Sequence, residues 1–164
     1  MIRIAKQAVL IFLLSLPLAH ARDMHGRFGV GYNGQFSNNS STILGGVPGL
    51  SIKYGLTRDI AAAAIVGAST ASPTNFVGGA KFFKNIFFET NLNFYFMLGG
   101  AVVAANSETG ADFLGGLGTE FFIPGLESLG FSVETGVSFS NITGSFILKT
   151  MGVSFLEAGI HFYF

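Results

Sequence analysis

The chain has 164 residues, no cysteine, and equal numbers of acidic and basic side chains. That length fits one domain once an N-terminal leader is set aside, and the lack of thiols excludes disulfides, cysteine-held metals, thiol catalysis and a lipid-attached cysteine. No basic patch accompanies the zero net charge, so nucleic acid is excluded as a partner.

Met1 to Ala21 reads as a leader. Arg3 and Lys6 make a positive start, Ala8 to Leu16 an apolar stretch, and Pro17 ends any helix. Ala19-His20-Ala21 then offers small residues, Ala19 and Ala21, at the two positions a signal peptidase reads. The expectation is a secretory signal peptide over 1–21, cleaved after Ala21, and a single domain over 22–164. The apolar stretch is too short to serve comfortably as an anchor, since a spanning helix needs about 20 residues.

Beyond the leader the hydrophobic period is two, the period of strands. In Arg27–Ser37, Phe28, Val30, Tyr32, Gly34 and Phe36 share one face, with Arg27, Gly29, Gly31, Asn33 and Gln35 on the other. Leu50, Ile52, Tyr54 and Leu56 alternate with Ser51, Lys53, Gly55 and Thr57. Ile60–Ser69 is Ala-rich and alone would suit a buried helix, but its spacing from its neighbours predicts a strand. Phe76–Phe83, Thr90–Val103 and Ala111–Phe122 follow with weaker alternation. Phe131–Ser140 and Leu156–Phe164 alternate cleanly. The count is about eight.

The connections alternate in length. Thr57 to Asp59 is tight, and Lys84 to Glu89 and Ile123 to Leu129 are fairly short. Asn38 to Pro48 and Asn141 to Gly152 are long, with Ala71 to Asn75 and Ala104 to Gly110 between these extremes. An even number of strands puts both ends of the domain at one rim, with the tight turns there and the loops at the other. Short turns on one side and longer loops on the other is the pattern of transmembrane barrels.

Charges test the phase independently. Arg27, Lys53, Lys81, Glu89, Asp112, Glu120, Glu134 and Glu157 all fall on the face opposite the apolar set. A charge facing lipid at mid-bilayer costs roughly 2–4 kcal/mol, so such segregation is what a membrane barrel requires. A soluble, lipocalin-like barrel would invert it and need a charged exterior. Only 11% of this chain is charged, against about 25% in soluble domains, which favours lipid outside and a crowded, polar lumen inside.

The segment Gly159-Ile160-His161-Phe162-Tyr163-Phe164 resembles the C-terminal signature of bacterial outer-membrane barrels, with Leu156, Ala158, Ile160, Phe162 and Phe164 at its alternate apolar positions. Gly116 to Leu126, followed by Leu129 to Glu134, is similar to the penultimate hairpin of small barrels of the outer membrane protein A and opacity-protein type. The resemblance implies an all-β, transmembrane, antiparallel up-and-down barrel in a bacterial outer membrane. Its partners would be outer-membrane lipid and, during biogenesis, the barrel-assembly machinery. It implies no cofactor and a non-enzymatic role, structural or in surface interaction. A small or gated pore is the alternative, ahead of a lipid-modifying enzyme or a soluble binder. The family's aromatic girdles often use Trp and Tyr, whereas this chain has no Trp and relies on Phe.

Other constellations are weaker. Gly29 to Gly34 matches GxGxxG, but a dinucleotide site needs a preceding strand and a following helix. Glu120 and Glu134 would sit nearly opposite each other, both inward, if the hairpin closed around Pro124 to Gly130. With Glu157 and Arg27 near the closing seam they read as a lumenal salt-bridge network, or more sharply as a proton or cation site. Glycoside hydrolysis is set aside because an eight-stranded lumen is filled by side chains. His20 leaves with the leader, His25 lies in the tail and His161 faces inward, which gives no metal-ligand spacing. No His-x-Ser motif marks a lipid-modifying triad. Asn38, Asn39 and Asn141 begin glycosylation-like triplets that read better as polar loop residues.

Overall fold

A computed structural model describes residues 23–33, 49–70, 74–105, 108–141, 145–151 and 157–164. The leader with Ala19 and Ala21, Leu156 and most of the long loops lie outside the described residues. Among the described residues there are nine strands: β1 (Phe28–Asn33), β2 (Leu50–Gly55), β3 (Ile60–Ser69), β4 (Asn75–Glu89), β5 (Leu92–Ala105), β6 (Glu108–Ile123), β7 (Leu126–Ser140), β8 (Ile147–Thr150) and β9 (Glu157–Tyr163).

Every pairing is antiparallel. Consecutive strands pair from β1 to β7, β7 pairs with β9, and β9 pairs with β1, which closes an eight-membered ring. The ninth strand, β8, lies on the same edge of β7 as β9 but beyond it, opposite Val137 to Ser140. Thr150 faces Val137 while Glu157 faces Glu134. The eighth position of the ring is therefore shared by two pieces, four residues out of register with each other.

Alternation sets the two faces. β1, β2 and β9 switch between exposed and less accessible at nearly every residue. The outer wall is apolar: Phe82, Phe96, Leu98, Phe113 and Phe139 are each more than half exposed. A wall of this kind is far larger than the apolar patches of monomeric soluble proteins. The inner wall is mixed. Around β3 to β6 it is built from Ala61, Ala63, Ile65, Val77, Phe83, Met97, Val103 and Leu114, and elsewhere from buried polar and charged groups.

The tight connections all fall at the rim reached by Phe28 and Tyr163. At the β2–β3 turn, Thr57 Oγ1 accepts from the amides of Asp59 (3.2 Å) and Ile60 (3.0 Å), a hydroxyl-capped turn. Thr90-Asn91 joins β4 to β5. Pro124-Gly125 joins β6 to β7, with Pro124 at the position that favours a fixed φ and Gly125 in the left-handed region at φ +84°.

Several sequence expectations are corrected. Lys84 to Glu89 is not a connection but the end of β4, and Leu126 to Leu129 begins β7. Ala104 and Ala105, with Glu108 to Gly110, extend β5 and β6. β8 lies within the stretch read as a long loop. A bulge between Asn85 and Phe87 inverts the phase of β4, because one extra residue reverses which side chains face inward. Glu89 is consequently exposed beside the turn and does not belong to the interior. Lys84, ahead of the bulge, points outward and is more than half exposed.

Candidate functional site

Six of the charged residues singled out from the sequence are buried: Lys53, Lys81, Asp112, Glu120, Glu134 and Glu157. They stand at inward positions of β2, β4, β6, β7 and β9, where alternation aims them at the axis. Arg27 is half-buried just ahead of β1, and its carbonyl accepts from the Gly55 amide at 3.1 Å.

Two ion pairs cross the interior. Lys53 Nζ lies 2.8 Å from Glu120 Oε2; β2 and β6 are diametrically opposed in the ring. Lys81 Nζ lies 3.0 Å from Glu134 Oε2. Burial makes an isolated charge costly, so each partner needs further hydrogen bonds to persist there. Both glutamates have them. Tyr163 donates to Glu120 Oε1 at 2.5 Å and Tyr95 to Glu134 Oε1 at 2.7 Å. Lys81 also donates to Asn33 Oδ1 at 2.8 Å, and Asn33 Nδ2 reaches Glu134 at 3.4 Å. The Lys53 ammonium additionally sits over the rings of Phe83 (4.5 Å) and Tyr95 (5.3 Å), a favourable arrangement for a desolvated cation.

The two glutamates are not opposed as the wider turn would have it. The Pro124-Gly125 turn pairs Glu120 with Ser132 and Glu134 with Gly118. It is Glu157 that stands directly opposite Glu134, across the β7–β9 seam. Gly118 is needed there: a Cβ on it would fall 2.5 Å from the Tyr95 ring, so the glycine makes room for the aromatic that binds Glu134. Asp112 is fully buried nearer the opposite rim, facing Ser140 across β6–β7.

Residues not singled out complete the interior. Ser51 Oγ and His161 Nε2 lie 2.6 Å apart. A serine–histidine pair could suggest a nucleophile, but both are at most 2% exposed and sit inside the barrel. His161 Nδ1 has no hydrogen-bond partner among the described residues. At the tight-turn rim Met24 turns into the opening and packs with Phe122 and Tyr163. Gly26, at φ +73°, donates to Gly55 O at 2.8 Å and holds this segment across the end. A cavity of about 10 Å³ remains beside Met24, Lys53, Asn93, Glu120 and Tyr163, room for about one water.

No family model matches the sequence, and no curated protein does. Among solved structures, the chain is similar to the outer membrane protein Ail of Yersinia pestis in a phospholipid bilayer nanodisc, at 13% identity and a TM-score of 0.42, covering 84% of this chain and 100% of that one. It is also similar to the N-terminal β-barrel domain of OprF from Pseudomonas aeruginosa, at 15% identity over 84% of this chain and 96% of that one. The TM-score of 0.56 to that domain, with the closed antiparallel ring described above, shows that this chain has the fold of a small outer-membrane β-barrel.

Proposed function

We propose that the chain is an integral protein of a bacterial outer membrane with a closed interior. Its role is non-enzymatic: it contributes to the envelope as a structural element and through what its loop-bearing rim presents. The observation that carries this reading is the buried pair of Lys–Glu bridges, each clamped by a tyrosine, which fills the lumen from wall to wall. The apolar outer wall supports insertion into lipid, since only a closed ladder satisfies its backbone there.

Export through residues 1–21, with cleavage after Ala21, belongs to the same proposal. So does handling by the barrel-assembly machinery. Ala158, Ile160 and Phe162 alternate outward along β9, with Phe164 beyond them, which suits recognition of an exposed strand face.

The test is expression with the native leader in a Gram-negative host, followed by envelope fractionation, gels with and without boiling, and planar-bilayer recording. The expected result is an outer-membrane band that shifts on boiling, a mature mass starting at Arg22, and no steady conductance. A soluble periplasmic product would refute the membrane reading. Discrete, sustained conductance steps would favour the second reading, a small gated pore. The plug favours that reading to one extent: it consists of ion pairs, which can exchange partners, rather than of packed aliphatic side chains.

A further inference from the structure

Residues 23–27 cross the tight-turn mouth of the barrel, and local chemistry sets their course. Met24-His25-Gly26-Arg27 forms a turn in which the Arg27 amide donates to Met24 O at 3.1 Å and Gly26 takes φ +73°. A positive φ at the third position is the type II pattern, and glycine adopts it without strain. The Asp23 carboxylate accepts from the His25 amide at 2.8 Å and fixes the start of the turn.

The turn is fastened to the end of β2. Gly26 N donates to Gly55 O at 2.8 Å and Gly55 N to Arg27 O at 3.1 Å. Gly55 has to be glycine for this approach, because a Cβ there would collide with the Met24 carbonyl. So held, the Met24 side chain is 5% exposed and packs with Phe122 and Tyr163. Beneath it lies the small cavity bordered by Lys53, Ala61, Asn93, Glu120 and Tyr163. The Lys53–Glu120 bridge stands there, and Asn93 Oδ1 is buried with no hydrogen-bond partner among the described residues. A buried carbonyl oxygen left in that state is costly, and water is its natural partner. An apolar side chain therefore covers a pocket whose own groups favour water. The β1–β2 pairing begins at Phe28 and Tyr54, so the turn can swing out while the ladder of the ring stays intact.

We propose that residues 23–27 are a stopper for the tight-turn mouth, with Met24 as its wedge. Seated, it shuts solutes away from Lys53, Glu120 and Asn93. Displaced, it opens that pocket from this end alone. The proposal names what closes one end of the interior and rests on the closed-interior reading above.

The test is thiol accessibility in the full mature chain folded in detergent micelles. The chain has no cysteine, so a single introduced one is the sole target. Ala61→Cys reports on the pocket, and Ser138→Cys, buried on β7 toward the loop-bearing rim, reports on the far end. The probe is hydroxyethyl methanethiosulfonate, small and uncharged. With the stopper intact both cysteines should react slowly. Met24→Ala should speed the reaction at Ala61→Cys about ten-fold or more, as expected for a lost local closure, and leave Ser138→Cys unchanged. Gly26→Val should do the same without touching the pocket: it sets a β-branched side chain at positive φ, in open space. A boiling-dependent gel shift verifies that each variant is folded. An unchanged rate at Ala61→Cys in both variants would overturn the stopper, and so would equal acceleration at the two cysteines, which would mean a loosened barrel. Fast reaction at both cysteines with the stopper intact would overturn the closed-interior reading itself.

Discussion

The Lys81–Glu134 pair offers the sharpest test of the interior. Replacing Glu134 by Leu leaves the fully buried Lys81 ammonium with Asn33 Oδ1 and without its ion pair, and removes the acceptor of Tyr95. Breaking a buried pair from one side typically costs about 3–5 kcal/mol. Lys81→Met should cost at least as much, for a reason specific to this register. Glu134 faces Glu157 directly across the β7–β9 seam, and like charges opposed on a sheet destabilise it; Lys81, paired with Glu134, is a cation that offsets that repulsion. The double variant Glu134→Leu/Lys81→Met removes both charges at once, and such replacements by apolar groups are often near neutral. It should therefore be more stable than either single variant. Urea unfolding in lipid vesicles, followed by tyrosine fluorescence and by the boiling-sensitive gel shift, measures all four proteins. Single-variant losses below about 1 kcal/mol, or a double-variant loss equal to the sum of the two, would refute the argument that the pair is a buried, coupled unit.

Three further outcomes follow from close contacts. A Cβ at Gly116 would fall 2.0 Å from Thr135 O, whereas at Gly115 its nearest neighbours would be the end of the Leu98 side chain at 3.3 Å and Met97 O at an ordinary 3.9 Å. Gly116→Ala should lose about 3 kcal/mol in urea unfolding, the upper end for overpacking, and Gly115→Ala much less. Met24→Ala should lose about 2 kcal/mol, the low end for a buried methionine; no loss would show that residues 23–27 do not belong to the folded unit. Phe164 is 71% exposed, stacks edge-on with Phe162, and ties down through its backbone amide to Phe28 O. Phe164→Ala should therefore refold normally into detergent yet accumulate poorly in the outer membrane of cells. Equal losses in both assays would mean the ring matters for packing rather than for recognition.

Alternation made much of this fold legible, because in a strand the period of two is itself the geometry. The inward placement of Lys53, Lys81, Asp112, Glu120, Glu134 and Glu157 could be read from their apolar neighbours. Glu89 could not, since the bulge at Asn85–Phe87 reverses the phase and leaves no mark in composition. β8 was invisible for a related reason: Ile147-Leu148-Lys149-Thr150 places two apolar residues side by side, with no alternation to detect. Register was also hidden. Which residue faces Glu120 depends on where the hairpin turns, and Pro124-Gly125 turns it tighter than the polar stretch around it suggests. The partners of the glutamates were missed because Tyr95 and Tyr163 look like ordinary strand aromatics. Only the fold brings their hydroxyls to the axis, and the one sequence signal was that both occupy inward positions shared with charges.

The bridges inside the barrel join strands that do not touch through the sheet. Lys53 and Glu120 are 67 residues apart, Lys81 and Glu134 53, and Ser51 and His161 110. A ring of hydrogen-bonded strands resists being pulled open but flexes easily out of round. Struts across its diameter change that: to flatten the cylinder along β2–β6 means compressing or snapping the Lys53–Glu120 contact. The interior charges thus give the wall a fixed cross-section, and lateral pressure from surrounding lipid would meet a braced tube rather than a pliable hoop.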